Sequence, residues 1–352
     1  MEKHTLFITG AAGYVGTMLV HQFSKRPDVA HIVCIDKEEK PEMLKDIQNI
    51  TWIHDNISSN SWQKLVEEKK PNIVIHTAWQ IREMYGDQKT QWKWNVEGSD
   101  KVFDYAFDHT NVKKLIHYST VSSYSAFPDN ELDHFFTEEE PFRESDYLYA
   151  IEKKVAEEHL KDRFIKAVNA GAHVPQVSII RPAAITGPRG RYSRIRFGLQ
   201  SALSGQLKEK LSHKIVSKLV SWVPVTPKWA RQFIHEDDIT DVTALLAFTP
   251  TDYKYEIFNA CPPGEIVLGQ DMANAVGKKA LPVAPWMVRI AFFFTWNLSK
   301  GAIPTSRGGW KAYSFPVVVD GSKLTNKLGF KYKMSSKDAF VKKEGRYMEY
   351  VK

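Results

Sequence analysis

The sequence has few cysteines, no long hydrophobic run and no large excess of one charge. Cys34 and Cys261 are its only cysteines, too few for a disulfide framework or a CxxC metal site, so we expect a reducing, cytoplasmic setting. The first residues lack the form of a secretory signal. The most apolar stretch, residues 285–298, contains Arg289 and is shorter than the roughly 20 residues that span a bilayer.

The composition is that of a globular protein. Hydrophobic residues make up 43% and charged residues 25% of the 352-residue chain, which excludes a disordered, collagenous or coiled-coil protein. The formal net charge of +7 permits an anionic ligand but does not require nucleic acid. The histidines are scattered without a metal-binding spacing. We therefore expect a small-molecule substrate, no nucleic-acid partner and no metal site.

Short apolar segments alternate with helical patterns through the first half of the chain. Strands of this kind, without polar alternation, are typical of a parallel sheet that helices cover on both faces. The sequence predicts strands at residues 5–9, 31–35, 51–53, 72–76, 114–118 and 177–180. The predicted fold is α/β, a Rossmann-type doubly wound parallel sheet with a smaller mixed C-terminal substrate lobe. The predicted domains are residues 1–186, with segments near 231–260 returning to the sheet, and residues 187–352.

The first strand leads directly into a glycine-rich turn and a helix. Gly10, Gly13 and Gly16 have the spacing GxxGxxG, which lets the backbone approach a pyrophosphate at the N-terminus of the helix. Asp36 ends the second strand about 20 residues after Gly16. A carboxylate there accepts hydrogen bonds from both ribose hydroxyls and repels a 2′-phosphate. The sequence therefore predicts that the first domain binds NAD in preference to NADP.

Tyr149 and Lys153 are one helical turn apart and lie on one face of a predicted helix. An ammonium group beside a phenol stabilises the phenolate and lowers the pKa of the tyrosine, which favours general base catalysis. Tyr85 and Lys89 have the same spacing, but their stretch is polar and typical of a solvated surface. The helix of Tyr149 instead has an apolar stripe and follows a strand that ends in hydroxyl side chains at residues 119–124.

As a set, these motifs resemble those of the extended short-chain dehydrogenase/reductase family, the NAD-dependent epimerase/dehydratase group. The resemblance runs from residue 5 to about residue 260. Residues 10–16 look like the nucleotide turn of the family, and residues 76–79 resemble its HxAA segment with Trp79 in place of a small residue. The other similar segments are 95–99 (NVxGT), 118–124 (SSxxxYG), 181–188 (RPxxxxGP) and 231–238 (RxFIHVDD).

The resemblance implies a role for each matching residue. Thr120, Tyr149 and Lys153 would be catalytic, with Thr120 bound to the substrate oxygen and Lys153 also holding the nicotinamide ribose. Ser122 and Ser123 would contact the substrate nearby. The residues expected to bind NAD are Gly10, Gly13, Tyr14, Val15, Gly16, Asp36, Asn56, Ile57, Thr77, Ala78, Trp79, Asn95, Tyr149, Lys153, Pro182, Ala183 and Ile185. The family also implies a homodimer.

Two substrate classes stay open at this point. A nucleotide sugar needs basic residues around its pyrophosphate, and Arg191 and Arg231 can supply charge-assisted hydrogen bonds. Val121 and Ser122 stand where dehydratases of the family carry an Asp–Glu pair, which argues against sugar 4,6-dehydration. A sterol or lipid alcohol is the alternative, because residues 207–223 and 285–298 suit an apolar pocket or a membrane surface. We expect the second of these stretches to pack within the small lobe or at a dimer interface rather than to contact a membrane.

These observations predict an NAD-dependent enzyme, either an oxidoreductase or an epimerase. It would oxidise a secondary alcohol of a sugar nucleotide or related hydroxylated substrate by hydride transfer to the nicotinamide. The alternatives are a 3β-hydroxysteroid-type or lipid-alcohol dehydrogenase at a membrane surface, and a non-catalytic NAD-binding sensor. The complete set of Thr120, Tyr149 and Lys153 argues against the sensor, since binding alone needs no phenol beside an ammonium group.

Overall fold

A computed structural model describes residues 3–190, 222–275, 277–342 and 344–351. Its strands are β1 (His4–Thr9), β2 (Val29–Asp36), β3 (Ile50–His54), β4 (Ile73–His76), β5 (Lys114–Tyr118), β6 (Gln176–Pro182), β7 (Ala184–Thr186), β8 (Trp222–Val225), β9 (Ala230–Arg231), β10 (Phe233–His235), β11 (Tyr255–Ala260), β12 (Val267–Leu268) and β13 (Lys279–Pro282). Its α-helices are α1 (Tyr14–Phe23), α2 (Trp62–Glu67), α3 (Gln88–Trp92), α4 (Gly98–Asp108), α5 (Leu148–Asn169), α6 (Glu236–Phe248), α7 (Gly269–Ala275), α8 (Pro285–Leu298), α9 (Gly309–Ser314), α10 (Ser322–Leu328) and α11 (Ser336–Val341). A π-helical segment, Lys93–Glu97, joins α3 to α4, and a 3₁₀ turn, Val121–Tyr124, follows β5.

A seven-stranded parallel sheet forms the centre of the protein, in the order β11-β6-β5-β4-β1-β2-β3. The strand order reverses between β1 and β4, so the carboxyl ends of these two strands border a crevice of the kind in which doubly wound sheets bind ligands. The six predicted strands are all present, and the predicted α/β fold class is confirmed.

Both faces of the sheet are buried, which is why its strands lack polar alternation. Leu6 and Ile8 of β1 pack in a cluster with α1 and α6, whereas Phe7, between them, packs in a second cluster with α4 and α5. Successive side chains of a strand point to opposite faces, so a strand between two helical layers must be apolar at every position.

The later part of the chain combines a returning strand with small additional sheets. β11 extends the central sheet beside β6, at residues within the segment expected to return there. Three two-stranded sheets pair β7 with β10, β8 with β13 and β9 with β12. The division into residues 1–186 and 187–352 stays a prediction.

The packing of α8 differs from the prediction. Of its residues only Val288 is fully buried, whereas the side chains of Phe293 and Phe294 are 64% and 56% exposed. Phe293 and Phe294 therefore do not pack within the small lobe, and packing against a dimer partner stays a prediction. Of the other apolar stretch, residues 207–221 lie outside the described part of the chain. In the part that is described, every helix is too short or too polar to cross a membrane.

Candidate active site

The turn between β1 and α1 needs glycine for steric reasons. Gly10 has a φ of +70°, and a Cβ atom on it would lie 2.5 Å from the backbone nitrogen of Ala78. A Cβ atom on Gly16 would lie 2.1 Å from the carbonyl oxygen of Gly10. The N-cap Gly13 has no side chain to bond the first N–H groups of α1, so these groups and the positive end of the helix dipole are available to an anion.

Asp36 ends β2 beside this turn. Its Oδ2 accepts a hydrogen bond from the backbone N–H of Ala12 at 2.9 Å, and its Oδ1 accepts one from that of Glu38 at 3.0 Å. Burial raises the pKa of the Asp36 carboxyl, and these two hydrogen bonds act in the opposite direction. The carboxylate is thus fixed against the glycine turn, where a ribose attached to a bound pyrophosphate would lie.

A cavity of about 260 Å³ opens along the glycine turn. It is lined by every cofactor-binding residue that the sequence predicted before β5. These are Gly10, Gly13, Tyr14, Val15, Gly16, Asp36, Asn56, Ile57, Thr77, Ala78, Trp79 and Asn95. The fold therefore brings together residues from five separate segments at the carboxyl ends of β1 to β4 and at the π-helical segment.

Asn95 lines this cavity, but its amide group is bonded within the protein. The amide nitrogen donates to the carbonyl oxygen of Gln80 at 3.0 Å and to the carboxylate of Glu152 at 2.7 Å, and the amide oxygen accepts from the N–H of Gln80 at 2.7 Å. Glu152 lies on α5, next to Lys153. Asn95 thus joins the loop after β4 to α5.

A second cavity, of about 580 Å³, adjoins the first. Val15, Thr77, Trp79 and Ile81 line both, so the two form one continuous crevice. The predicted catalytic, nicotinamide and substrate residues that line the second cavity are Thr120, Ser122, Tyr149, Lys153, Pro182, Ala183, Ile185 and Arg231.

Thr120, Tyr149 and Lys153 all line the second cavity, Thr120 just after β5 and the other two in the first turns of α5. The side-chain oxygen of Thr120 accepts a hydrogen bond from the N–H of Ser122 at 3.1 Å and so starts the 3₁₀ turn. Tyr149 lies in the first turn of α5, and Lys153 lies one turn later on the same side, because four residues make about one helical turn.

Lys153 is buried between a carbonyl group and an aromatic ring. Its Nζ donates to the carbonyl oxygen of Tyr118 and lies 3.5 Å from the centre of a Trp79 ring. Burial lowers the pKa of Lys153, and the nearby carboxylates of Glu157 and Glu152 oppose this effect. The sequence did not indicate this contact, because Trp79 was noted only as a replacement for a small residue.

A buried ion pair fixes the position of α5 on the sheet. Arg181 of β6 donates to both carboxylate oxygens of Glu157, with the shortest bond at 2.7 Å, and also to the hydroxyl of Tyr124 at 2.7 Å. Both charged side chains are 6% exposed. Because Glu157 follows Lys153 by one helical turn, this pair holds the part of α5 that carries Lys153 against β6.

Two of the residues predicted to bind the substrate, Ser123 and Arg191, are not among the described residues that line the second cavity. Ser123 is buried and does not line the cavity, because its hydroxyl donates to the carbonyl oxygen of Ala150 at 3.2 Å. The prediction of a substrate contact at Ser123 is therefore corrected. Arg191 lies outside the residues that the structure describes.

Basic side chains reach the second cavity from the later part of the chain. The guanidinium of Arg231 donates to the carbonyl oxygen of Ala230 at 2.6 Å, and burial lowers its pKa to about 10, so it is charged at neutral pH. Lys311 also lines the cavity and pairs with Asp146 at 2.5 Å. The sequence analysis missed Lys311, which lies in a region without a recognisable motif.

Solved structures of similar fold include several enzymes. The enzyme WbmG of Bordetella bronchiseptica, solved with NAD and UDP, has a TM-score of 0.70 and 21% identity, with 99% of this chain and 96% of that chain covered. UDP-glucose 4-epimerase of Thermotoga maritima, solved with UDP-glucose, has a TM-score of 0.68 and 19% identity, with 95% and 96% covered. The dTDP-glucose 4,6-dehydratase DesIV of Streptomyces venezuelae has a TM-score of 0.66 and 17% identity, with 96% and 94% covered. At these identities the likeness shows the fold.

Family membership follows from the sequence profile. Among curated proteins, none matches this sequence significantly. The profile of the NAD dependent epimerase/dehydratase family matches residues 6–261, well over half of the chain. The resemblance drawn from the motifs and the expectation of an NAD-dependent enzyme are thereby confirmed at the level of the family. The chain belongs to the NAD dependent epimerase/dehydratase family.

Proposed function

We propose that this protein oxidises a secondary alcohol of a nucleotide sugar with NAD, as an epimerase or a dehydrogenase. One observation carries the proposal: the cavity of the glycine turn and the cavity of Thr120, Tyr149 and Lys153 form one continuous crevice. A dinucleotide lying along the first cavity would reach the catalytic residues in the second. A sensor that only binds NAD would not need its NAD cavity to open onto a second cavity lined by Thr120, Tyr149 and Lys153.

The residues of the first cavity fit the parts of NAD. The N–H groups at the start of α1 would bind the pyrophosphate, and the Asp36 carboxylate would accept hydrogen bonds from the adenosine ribose. Lys153 and Trp79 would border the nicotinamide half, since Trp79 lines both cavities. When bound, NAD would supply the acceptor for the hydride of the substrate alcohol.

In the second cavity, the side chains would handle the proton of the substrate alcohol. The Tyr149 phenolate oxygen would take this proton, and the Thr120 hydroxyl would hold the alcohol oxygen by a hydrogen bond. The Lys153 ammonium, fixed by the carbonyl group of Tyr118, would favour the charged form of the phenol. In an epimerase, Tyr149 would return the proton after the hydride had returned to the other face.

A nucleotide sugar is the substrate class that the comparisons support. WbmG was solved with UDP and the Thermotoga maritima enzyme with UDP-glucose. In this chain, Arg231 and Lys311 would bind the diphosphate, because both line the second cavity. A hexose attached to that diphosphate would extend toward Thr120 and Tyr149. The Val121–Ser122 pair argues against water elimination, so we propose epimerisation or simple oxidation.

A panel of UDP- and dTDP-hexoses tests this proposal. We expect at least one of them to be converted by the protein supplied with NAD. A product of unchanged mass indicates an epimerase, and a product that has lost two hydrogens together with formation of NADH indicates a dehydrogenase. If the protein binds NAD but neither binds nor converts any of these nucleotide sugars, the proposed substrate class is wrong.

Substitution of Asp36 by alanine is expected to weaken the preference for NAD over NADP. Hydrogen bonds to a charged group contribute about 1.5–3 kcal/mol, so the dissociation constant of NAD should rise roughly 10- to 100-fold. NADP should lose less affinity, because the repulsion of its 2′-phosphate disappears as well. Isothermal titration with both cofactors measures the effect, and an equal loss for NAD and NADP argues against this role of Asp36.

Substitution of Arg231 by methionine is expected to raise the KM for the nucleotide sugar with a smaller change in kcat. The change removes a charged donor from the second cavity, so UDP should bind roughly 10- to 100-fold more weakly. Arg289→Met is the matched control, since Arg289 is exposed on α8 and does not line the cavity. Similar effects of the two substitutions on UDP binding would rule out a specific role for Arg231.

The homodimer and the cytoplasmic location stay predictions. Light scattering during size-exclusion chromatography measures the mass of the protein in solution. A mass near twice the 40.3 kDa of one chain is expected for the dimer, and the mass of one chain contradicts it.

A further inference from the structure

One side of α8 is apolar and exposed. The residues Trp286, Met287, Ile290, Phe293, Phe294 and Leu298 are between 44% and 83% exposed, and we call them the outer face of α8. Their spacing places them on one side of the helix, since an α-helix repeats every 3.6 residues. Exposed apolar groups of this size mark a surface that binds a partner.

The opposite side of α8 holds the helix in place. Val288 is buried, Phe292 lies 5.7 Å from the ring of Tyr313, and Trp296 lies 5.4 Å from the ring of Tyr85. Phe292 and Trp296 also line the second cavity. The inner side therefore packs the helix against the protein, and the outer face is left for a partner.

The charges around α8 identify what kind of partner fits. Residues 272–319 contain no Asp or Glu, but they contain six basic residues. These are Lys278, Lys279, Arg289, Lys300, Arg307 and Lys311. Lys279 and Lys300 are exposed shortly before and shortly after α8, and Arg289 is exposed on it. An exposed apolar helix face in a chain segment that carries cations and no carboxylates is complementary to an anionic lipid surface.

Two further exposed apolar side chains lie on a pair of strands, one of which ends shortly before α8 in the chain. Trp222 of β8 and Leu281 of β13 are 50% and 44% exposed, and their two strands pair with each other just before α8 begins. Tryptophan side chains favour the boundary between lipid headgroups and acyl chains. Trp222 and Trp286 are therefore suited to the boundary between the headgroups and the acyl chains.

We propose that the outer face of α8 binds the surface of an anionic lipid bilayer. The helix lies in the plane of the interface, its apolar side chains enter the acyl boundary, and Lys279 and Lys300 contact the headgroups. Because the inner side of α8 is a wall of the second cavity, that cavity lies next to the membrane when the protein is bound. This proposal needs neither cofactor nor substrate and is independent of the proposed function.

Sedimentation with lipid vesicles tests the proposal. The full chain is mixed with vesicles of phosphatidylcholine alone and of phosphatidylcholine with phosphatidylglycerol. We expect binding to the anionic vesicles that weakens as salt is added, and weak or no binding to the neutral ones. Lys279→Glu and Lys300→Glu should each weaken binding by at least roughly fivefold.

Substitution of Phe293 and Phe294 by glutamate tests the apolar part of the contact. The double variant should lose binding to anionic vesicles and keep the thermal unfolding temperature of the wild type, because both rings are exposed. The matched control is Ile165→Glu with Val168→Glu on α5, whose side chains are 44% and 47% exposed. This control should bind vesicles as the wild type does.

Three results would overturn the proposal. The first is absence of binding to anionic vesicles at low salt. The second is equal loss of binding in the α8 and α5 double variants. The third is a marked fall of the unfolding temperature or dissociation of a dimer in the Phe293→Glu, Phe294→Glu variant, since either means that protein covers the outer face.

Discussion

Replacing Tyr149 by phenylalanine is expected to lower kcat about 10²- to 10⁴-fold, the usual contribution of a general acid or base. The substitution removes one hydroxyl group from the first turn of α5 and keeps the aromatic ring, which lies 5.8 Å from the ring of Tyr147. The dissociation constant of NAD should change only slightly, because the glycine turn and Asp36 lie in the other cavity.

The chain offers a matched control for this experiment. Tyr85 also has a lysine four residues later, but it is 44% exposed and its hydroxyl makes one long hydrogen bond, to Asn297 at 3.4 Å. Tyr85→Phe should turn over at nearly the wild-type rate. Steady-state kinetics and NAD titration of both variants measure kcat and the dissociation constant of NAD. Full activity of Tyr149→Phe, or an equal loss in Tyr85→Phe, would show that the proton passes through another group.

Substitution of Glu157 by alanine is expected to lower the free energy of unfolding by about 3–5 kcal/mol. The change leaves the Arg181 guanidinium buried without its carboxylate partner, and a buried charge without a partner is costly. The loosened contact between α5 and β6 should also reduce turnover, because Lys153 lies one turn before Glu157. Denaturant unfolding measures the loss of stability.

Two further variants separate the charge from the packing. Glu157→Leu combined with Arg181→Met removes both charges and should recover most of the stability, since paired apolar residues replace a buried ion pair at little cost. Glu158→Ala removes the adjacent carboxylate, which is more than half exposed and 3.9 Å from Lys154, and should cost at most about 1 kcal/mol. Equal losses for Glu157→Ala and Glu158→Ala would contradict the role assigned to the buried pair.

The sheet and the glycine turn could be predicted because their signals are local. The inner strands of the parallel sheet are buried on both faces, so each of them reads as a short, mainly apolar run. Gly10 and Gly16 are fixed by contacts within the turn and with the adjacent loop. Asp36 was identified for the same reason, since its distance from the turn along the chain is set by one helix and one strand.

The contacts that the sequence analysis missed join residues far apart in the chain. Trp79 and Lys153 meet only because β4 and β5 are neighbours in the sheet and α5 begins after β5. Glu157 and Arg181 are joined across α5 and β6, and single-sequence patterns carry no sign of such a pair. Ser123 was misjudged because a run of hydroxyl residues does not reveal which of them a 3₁₀ turn directs inward.

The apolar stretch of α8 illustrates a different limit. Hydrophobic residues lie on both sides of α8. The spacing of hydrophobic residues along the sequence therefore does not distinguish the buried side of the helix from the exposed side. Only the neighbours of Phe292 and Trp296 in the fold decide that these two rings pack inward and that Phe293 and Phe294 do not.

In the proposed reaction, a hydride passes from a nucleotide sugar to NAD within the crevice, with Tyr149 as the base. The most direct test is a single-turnover experiment, in which the protein loaded with NAD is mixed with UDP- or dTDP-hexoses and the absorbance of NADH is followed. We expect a reactive sugar to produce NADH absorbance in the wild type within one turnover, and Tyr149→Phe to slow its appearance about 10²- to 10⁴-fold. Net oxidation of the sugar without formation of NADH, or NADH formation at an unchanged rate in Tyr149→Phe, would contradict hydride transfer with Tyr149 as the base.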